Sequence, residues 1–189
     1  MELLKRRIAE EGRVMSDQVL NVDSFLNHGL DPELVAAMGR EFAGRFRFSG
    51  ATRILTIESS GIAIAYATAL ELGVPLVYAR RRKTLPHGGE YYSERVPSFT
   101  KGIVSDLHVA KHLLSPDDRI IIIDDMIAGG DAVMGAVRIV ERSGAKLAGI
   151  GIAIEKTFQP GSGRIRSLGV QVEALARISS LAGGRVEFA

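Results

Sequence analysis

The sequence predicts an α/β fold in which helices flank a mainly parallel sheet. The first observation is a pair of short apolar runs, 53–57 and 119–123, in which polar and apolar residues do not alternate. Such continuous runs are typical of strands that are buried on both faces, as in a parallel sheet. The second observation is that a helical stretch follows each run. Strands and helices therefore alternate from about residue 53 to residue 176.

The helices that follow the two runs are recognised by where they stop. The Ala-rich stretch 61–72 ends at Gly73, and a glycine commonly terminates a helix. A second amphipathic stretch, 132–142, ends near Gly144 in the same way. Each run and its helix together form a strand–helix unit, which is the repeating element of an α/β fold.

Two further strands and one earlier helix complete the predicted elements. The strands are expected at 74–79 and at the glycine-rich segment 146–154. The helix begins at Asp31, Pro32 and Glu33, because Asp can cap, Pro suits the first turn and Glu suits the positive end.

The segment from Arg80 to Thr100 shows no periodicity, and we predict a loop that acts as a lid. A stretch of about 20 residues without regular structure inside a compact domain is usually functional. The basic run 80–83 at its start has three interpretations that the residues leave open: a solvated loop, a nucleic-acid patch, or a site for pyrophosphate with magnesium. The adjoining loop favours the third.

The composition excludes several classes of protein. The 189 residues contain no cysteine, which excludes disulfides, thiolate catalysis and cysteine metal sites. The net charge of +2 does not indicate a nucleic-acid partner. No apolar run is long enough to span a membrane, and the charged N-terminus does not resemble a signal peptide. We therefore expect one domain over residues 1–189, in the cytoplasm, without nucleic acid or membrane as a partner.

The segment 120–132 contains the residues most informative about chemistry. It consists of a buried strand, two adjacent carboxylates (Asp124 and Asp125), a loop with Gly129 and Gly130, and the start of a helix. Ligands bind beyond the carboxyl ends of parallel strands, and a glycine loop before a helix offers amides to an anion. A phosphorylated sugar would use both groups, because its hydroxyls can donate to the carboxylates. Taken alone, each acid is equally consistent with a helix cap.

This segment resembles the phosphoribosyl pyrophosphate (PRPP) signature of the type I phosphoribosyltransferases. In that signature, four apolar residues precede two acids, two variable positions and a loop of small residues with a central glycine. The similarity covers nearly the entire chain and is closest to the bacterial xanthine branch of the family, through the stretches 16–28, 56–62 and 148–161. Many family members carry Ser or Thr at the positions of Ala128 and Ala132, so two hydroxyl donors are missing here.

The resemblance implies the family's fold, with residues 1–50 contributing a small hood over the base site. It also assigns site residues position by position. Asp124 and Asp125 are expected to face the ribose hydroxyls as the catalytic acids. The other expected contacts are with the 5-phosphate of PRPP (Ala128, Gly129, Gly130, Asp131 and Ala132), with pyrophosphate (Glu58, Ser59, Ser60, Gly61 and Arg80) and with the base (Leu20, Asn27 and Lys156).

Lys156 is ambiguous without the resemblance, because a lysine after an apolar strand is usually solvated. In the family's arrangement it contacts the 6-oxo group of the purine. Adenine carries a donor at that position, and two donors left facing each other cost about 1–3 kcal/mol. The lysine would therefore select against adenine.

The implied function is purine salvage: transfer of phosphoribose from PRPP to xanthine, which gives xanthosine 5′-monophosphate and pyrophosphate. Magnesium is expected to be held mainly by the substrates, with no direct protein site. Guanine or hypoxanthine remains open as the base, because both share the 6-oxo group. A regulator that binds PRPP and nucleic acid is a further alternative, against which the balanced charge and the lack of an added DNA-binding domain count.

A homodimer is also implied, in which the partner reaches the active site near residues 80–100. Tyr91 and Tyr92, close to the basic run, suit a contact surface. The alternative is a monomer.

Overall fold

The computed structural model describes residues 1–83, 89–98 and 103–189 of the chain. The helices are α1 (Glu2–Glu11), α2 (Pro32–Phe46), α3 (Gly61–Leu72), α4 (Asp131–Ser143) and α5 (Pro160–Arg166), with a π-helical turn at Asp23–Asn27 and 3₁₀ turns at Lys111–Leu113 and Ala182–Gly184. The strands are β1 (Arg13–Ser16), β2 (Val19–Asn21), β3 (Arg53–Ile57), β4 (Leu76–Ala79), β5 (Tyr91–Ser98), β6 (Ile103–Ala110), β7 (Arg119–Ile127), β8 (Lys146–Lys156), β9 (Gln171–Ser180) and β10 (Glu187–Phe188).

A six-stranded sheet with the order β10-β9-β8-β7-β3-β4 forms the centre of the molecule. Neighbouring strands from β9 to β4 are parallel, and β10 pairs antiparallel with β9 at one edge. Two antiparallel hairpins, β1–β2 and β5–β6, lie outside this sheet. The predicted α/β fold with a mainly parallel sheet is therefore confirmed.

Strand β7 shows why its sequence has no polar alternation. Ile121 and Ile123 pack into the core on one face of the sheet, together with residues of α2 and α3. Ile120 and Ile122 pack into a second core on the other face, together with residues of α4. All four side chains are fully buried, so a polar residue at any of these positions would lose its solvation.

The predicted helix boundaries are confirmed at the residues that define them. The carboxylate of Asp31 accepts hydrogen bonds from the backbone N–H groups of Glu33 and Leu34, at 2.9 and 3.1 Å, and so caps α2. Helices α3 and α4 both end at a glycine with positive φ, 68° at Gly73 and 78° at Gly144. A left-handed residue of this kind terminates a helix and costs little when it is glycine.

The prediction that 80–100 has no regular structure is wrong over Tyr91–Ser98, which forms β5. Its partner β6 covers Ile103–Ala110, beyond the stretch that the prediction considered. The hairpin also packs against α4, since Val96 is buried and lies where a Cβ on Gly135 would be. Strand β5 is therefore stabilised by pairing and packing with distant residues, and its own sequence shows no periodic pattern. Residues 84–88 and 99–102 lie outside the described residues, so the predicted lid is not tested there.

The N-terminal region contains two elements that the sequence did not predict, helix α1 and the β1–β2 hairpin. Leu4 and Ile8 of α1 are fully buried in the same core as Ile121. The assignment of residues 1–50 to a hood within a single domain stays a prediction. No helix in the described part of the chain has both the length and the apolar character needed to cross a bilayer.

Candidate functional site

Three loops meet at one edge of the sheet, where neighbouring parallel strands end. The loop at residues 58–60 follows β3, the loop at 128–130 follows β7, and the loop at 157–159 follows β8. Because parallel strands point the same way, their carboxyl ends bring these loops together. The acids predicted to face the ribose lie near the end of the middle strand, β7.

Asp124 and Asp125 differ in exposure and influence each other. Asp124 is buried, and Asp125 is partly exposed. Burial raises the pKa of Asp124 well above its ordinary value, and the charge of Asp125 adds to the effect, while Arg81 acts in the opposite direction. Burial also raises the pKa of Asp125, and the backbone N–H of Met126 partly offsets this rise. The pair therefore holds a proton more tightly than isolated aspartates do.

Gly61 allows the loop after β3 to approach the acid pair. A Cβ on this residue would lie 2.4 Å from the Thr56 hydroxyl oxygen and 2.7 Å from a carboxylate oxygen of Asp124. No side chain fits that space, so the site requires glycine there. The Thr56 hydroxyl is buried and has no hydrogen-bond partner among the described residues.

Residues 58–61, predicted to hold pyrophosphate and called here the pyrophosphate loop, contact the basic run. The carboxylate of Glu58 accepts a hydrogen bond from the backbone N–H of Arg81 at 2.6 Å. It also lies 3.5 Å from the guanidinium of Arg80. The Glu58–Ser59 peptide is cis. The structure thus brings the start of the basic run to this loop. Its role as a site for pyrophosphate with magnesium stays a prediction.

Residues 128–132, predicted to hold the 5-phosphate, are called here the phosphate loop. Gly130 has φ 83°, a conformation that suits glycine, and its carbonyl accepts a hydrogen bond from the N–H of Met134 as α4 begins. Asp131 is the first residue of α4, and Ala132 is in its first turn. The Ala128 carbonyl accepts a hydrogen bond from the N–H of Gly161, at 2.9 Å.

Lys156 ends β8 and is only 5% exposed, so the interpretation as a solvated lysine is wrong. Burial lowers its pKa. Its ammonium donates a hydrogen bond of 2.7 Å to the main-chain carbonyl of Gln18, in the turn between β1 and β2. The side-chain amide of Gln159 donates to the same turn, at 2.8 Å from the Gln18 side-chain oxygen. The N-terminal hairpin is thereby fixed to the end of β8 and to the loop that follows it.

The other two residues predicted to contact the base have different surroundings. The side-chain oxygen of Asn27 is buried and accepts no hydrogen bond from any described residue. A buried acceptor of this kind stays unsatisfied until a donor reaches it. The side chain of Leu20 is 5% exposed and packs in the core with Ile8. Whether either residue contacts a base stays a prediction.

Several polar residues beside the site were missed by the sequence analysis. Gln18 and Gln159 lie in the stretches 16–28 and 148–161 that carry the resemblance, but no role was assigned to them there. Their position next to predicted base contacts is the signal that could have singled them out. Arg164 of α5 donates to the Gly129 carbonyl and to Asp131. Buried Glu155 lies next to Lys156 in the chain and pairs with two arginines.

Comparison with known proteins identifies the family. The profile of the phosphoribosyl transferase domain matches residues 36–167. A xanthine phosphoribosyltransferase of Bacillus licheniformis is 55% identical over 188 residues, which is 100% of this chain and 97% of that protein. One of Moorella thermoacetica is 51% identical over 100% of this chain and 96% of its own.

Solved structures show the same fold at lower identity. Adenine phosphoribosyltransferase of Saccharomyces cerevisiae, in complex with adenine and an imino-altritol bisphosphate, is 24% identical. The alignment covers 93% of this chain and 99% of that chain, with a TM-score of 0.73. The Trypanosoma brucei enzyme is 20% identical over 92% of this chain and 79% of its own, with a TM-score of 0.75.

The resemblance seen in segment 120–132 therefore extends to the whole chain and to its architecture. The fold agrees with the solved relatives, and the family profile spans both the acid pair and the phosphate loop. The chain belongs to the phosphoribosyltransferase family.

Proposed function

We propose that this protein transfers the phosphoribosyl group from PRPP to xanthine, giving xanthosine 5′-monophosphate and pyrophosphate. The observation that carries the proposal is the identity of 55% to a xanthine phosphoribosyltransferase over the full length of this chain. The alignment covers 188 residues of this chain, so it includes the segments that we propose to contact the base, the ribose and both phosphate groups. The function predicted from the sequence is thus supported by relatives that are named xanthine phosphoribosyltransferases.

The acid pair suits a ribose ring, because Asp124 and Asp125 can each accept a hydrogen bond from a hydroxyl. Negative charge beside the ring also stabilises the positive charge that develops at the anomeric carbon in an oxocarbenium-like transition state. A purine nitrogen attacks this carbon as pyrophosphate leaves. The protein's contribution is to hold both substrates in line and to keep out water, which would hydrolyse PRPP.

The two anionic ends of PRPP have separate proposed sites. The 5-phosphate takes the backbone amides of the phosphate loop, whose sharp turn at Gly130 precedes α4. The pyrophosphate takes the pyrophosphate loop, where the guanidinium of Arg80 supplies positive charge and the charge of Arg81 acts on Asp124 nearby. Gly61 of the same loop links the second site to the acid pair, because a Cβ there would lie only 2.7 Å from a carboxylate oxygen of Asp124.

Magnesium fits this site as an ion that arrives with PRPP. Carboxylate and phosphate oxygens are the ligands it prefers, and Asp124 and Asp125 supply two carboxylates. Among the residues that the structure describes, no group of three acidic, His or Cys side chains converges on a metal. When bound, the ion would neutralise charge on the pyrophosphate, while the protein's own residues orient the sugar.

The base is proposed to lie between Lys156 and Asn27. The buried ammonium of Lys156 suits the 6-oxo oxygen, and the unpartnered side-chain oxygen of Asn27 suits an N–H of the purine. Xanthine, guanine and hypoxanthine all carry the 6-oxo group. The lysine therefore distinguishes these three bases from adenine but not from one another.

The test is a panel of bases with PRPP and magnesium, in which pyrophosphate release is followed. We expect the highest kcat/KM with xanthine and little turnover with adenine. A preference for guanine or hypoxanthine would contradict xanthine as the substrate, but it would still support phosphoribosyl transfer as the reaction. The absence of release with every purine would contradict the reaction itself. The cytoplasmic location expected from the sequence stays a prediction.

We also propose a homodimer, with the second subunit close to the basic run. Tyr66 and Leu70 leave 61% and 67% of their surface exposed on the outer face of α3. Tyr78 of β4, the outermost strand of the sheet, is also exposed, and Arg80 lies 5.7 Å from its ring. Large exposed apolar side chains of this kind are typical of protein interfaces.

A further inference from the structure

Helix α5 holds the backbone of the phosphate loop at two successive carbonyl groups. The backbone N–H of Gly161 donates to the carbonyl of Ala128 at 2.9 Å. The guanidinium of Arg164 donates to the carbonyl of Gly129 at 2.7 Å. Both carbonyls therefore face α5.

Peptide geometry then determines where the next two amides point. In a trans peptide the C=O and N–H groups point in opposite directions, and both peptides of this turn are trans. Since the carbonyls of Ala128 and Gly129 face α5, the N–H groups of Gly129 and Gly130 face the opposite side of the loop. Within the described chain, neither of these amides donates to a protein acceptor. The bonds from α5 thus leave two N–H donors of the loop without a protein acceptor among the described residues.

Arg164 also compensates a charge that would oppose phosphate. Asp131 begins α4, and one of its carboxylate oxygens lies 3.0 Å from where a Cβ on Gly129 would be. An uncompensated carboxylate this close to the loop would repel an anion. Arg164 forms an ion pair of 2.7 Å with the other oxygen of this carboxylate.

A buried acid keeps α5 in place. Glu155 is fully buried and accepts hydrogen bonds from the hydroxyl of Ser162 at 2.6 Å and from the guanidinium of Arg166 at 2.8–3.1 Å, both on α5. Arg177 of β9 also donates to it, at 3.0 Å. The helix that presents Arg164 is thereby anchored to β8.

We propose that Arg164 is a positioning residue for the 5-phosphate of PRPP. It fixes the Gly129–Gly130 peptide so that its N–H faces the phosphate, and it neutralises Asp131. This inference rests on the proposed function, because it assigns the phosphate loop to the 5-phosphate of the donor. Arg164 acts through the loop and through Asp131, without contact to the reacting atoms.

The test compares Arg164→Gln with a matched control. Arg138 on α4 is equally exposed, at 40%, and forms an ion pair of 2.8 Å with Glu94, so Arg138→Gln removes a similar pair away from the loop. Steady-state kinetics should give a KM for PRPP at least about tenfold higher for Arg164→Gln, with the KM for xanthine within about twofold. The control should keep both KM values.

A second measurement separates this inference from the proposed function. Calorimetric titration with ribose 5-phosphate alone should show the same loss of affinity in Arg164→Gln, whether or not xanthine is the base. An inactive wild type that still shows this loss would contradict the proposed reaction and support the role of Arg164. Unchanged affinity for ribose 5-phosphate would overturn that role.

A conservative variant distinguishes a loss of positioning from a folding defect. Arg164→Lys keeps the positive charge near Asp131 but loses the planar fork that reaches the Gly129 carbonyl at the same time. We expect intermediate affinity for ribose 5-phosphate at an unchanged melting temperature. If affinity in both variants falls only in proportion to stability, the residue is structural and the inference is wrong.

Discussion

Lys156 and Gln18, far apart in the sequence, are joined by a hydrogen bond of 2.7 Å from the ammonium group to the main-chain carbonyl oxygen. The ammonium has three donors, so this bond leaves others for the 6-oxo oxygen of a purine. The same bond fixes the direction of the lysine before any base arrives. An oriented and desolvated donor is worth more than one that must be ordered on binding.

Lys156→Ala should therefore weaken the use of 6-oxo purines far more than the binding of PRPP. A hydrogen bond to a charged group contributes about 1.5–3 kcal/mol, so we expect kcat/KM for xanthine to fall by about 10- to 100-fold. Steady-state kinetics with each substrate varied in turn will check this. Equal losses for xanthine and PRPP would indicate a phosphate or folding role.

Replacing both acids, Asp124→Asn with Asp125→Asn, should remove most catalysis and leave the fold intact. The loss of charge beside the ribose should lower kcat by at least about 10- to 100-fold at saturating PRPP. Full activity under these conditions would mean that the acids only cap and turn the chain.

The same double variant should be more stable than the wild type at neutral pH. Folding raises the pKa of both acids, mainly through burial, so the wild type loses stability as the pH rises through their folded-state pKa values. The asparagines do not titrate. The double variant should melt at a higher temperature than the wild type at neutral pH. This gain should vanish below pH 3.8, the ordinary pKa of an aspartate. A gain that does not change with pH would argue against burial as the cause.

Much of the sheet and the acid pair could be predicted, because the information is local. Continuous apolar runs and terminating glycines such as Gly73 and Gly144 act over a few residues. Strand β5 was missed because its stability comes from pairing with β6 and from packing of Val96 near Gly135 on α4, which are contacts between distant segments. The turn at Gln18 was missed for the same reason.

The family resemblance assigned the predicted site residues. It did not identify the residues that hold the phosphate loop and α5 in place. Arg164 lies outside the stretches that carry the resemblance, and Glu155 lies within one of them without an assigned role. Both matter because α5 folds back onto the phosphate loop. Sequence spacing does not show that an arginine will meet a carbonyl 35 positions earlier in the chain. Tertiary structure was needed to identify them.

Gly130→Val should weaken the binding of PRPP. The residue has φ 83°, and a Cβ there would lie 2.8 Å from the Cα of Gly161. A valine side chain would therefore clash with the backbone of α5. Forcing the turn to change costs about 1–3 kcal/mol, so calorimetry should show affinity for PRPP lower by roughly 5- to 100-fold.

The control for this prediction is Gly44→Val, at an exposed position of α2 where a Cβ meets nothing within 4 Å. It should bind PRPP like the wild type. Unchanged affinity in Gly130→Val would contradict the assignment of the phosphate loop.

The homodimer should depend on the exposed face of α3. Tyr66 and Leu70 lie one helical turn apart on that face. Sedimentation at micromolar concentration should give a species of about twice 20.4 kDa for the wild type and one of 20.4 kDa for Tyr66→Lys with Leu70→Lys. Phe48→Lys, at an aromatic residue that is 85% exposed after α2, should remain dimeric. A wild type that is fully active as a 20.4 kDa monomer would overturn the proposed dimer and its shared site.

Glu155→Gln should destabilise the protein in a way that depends on pH. Burial alone would raise the pKa of Glu155, but hydrogen bonds from Arg166 and Ser162 and the charges of Arg166 and Arg177 outweigh it and lower the pKa below its ordinary value. A carboxyl with a lowered pKa adds stability above its unfolded value of 4.5, and this stability is lost as the pH falls through the folded-state pKa. Glutamine keeps the shape and loses the charge, so we expect a cost of about 1.5–3 kcal/mol at neutral pH.

Denaturant unfolding at several pH values will measure this cost, with Glu173→Gln as the matched control. Glu173 also pairs with an arginine, Arg45 at 3.1 Å, but its side chain is 27% exposed, and surface pairs of this kind contribute about 0–1 kcal/mol. The difference in unfolding free energy between Glu155→Gln and the wild type should shrink as the pH falls below 4.5. Below this value the unfolded wild-type chain takes up a proton at Glu155, which favours unfolding. At still lower pH the folded carboxyl is protonated too, and the arginines lose their charged partner. A cost that stays the same from neutral to acid pH would mean that the carboxylate's charge does not anchor α5. In that case packing around Ser162, rather than the ion pairs, would hold the helix against β8.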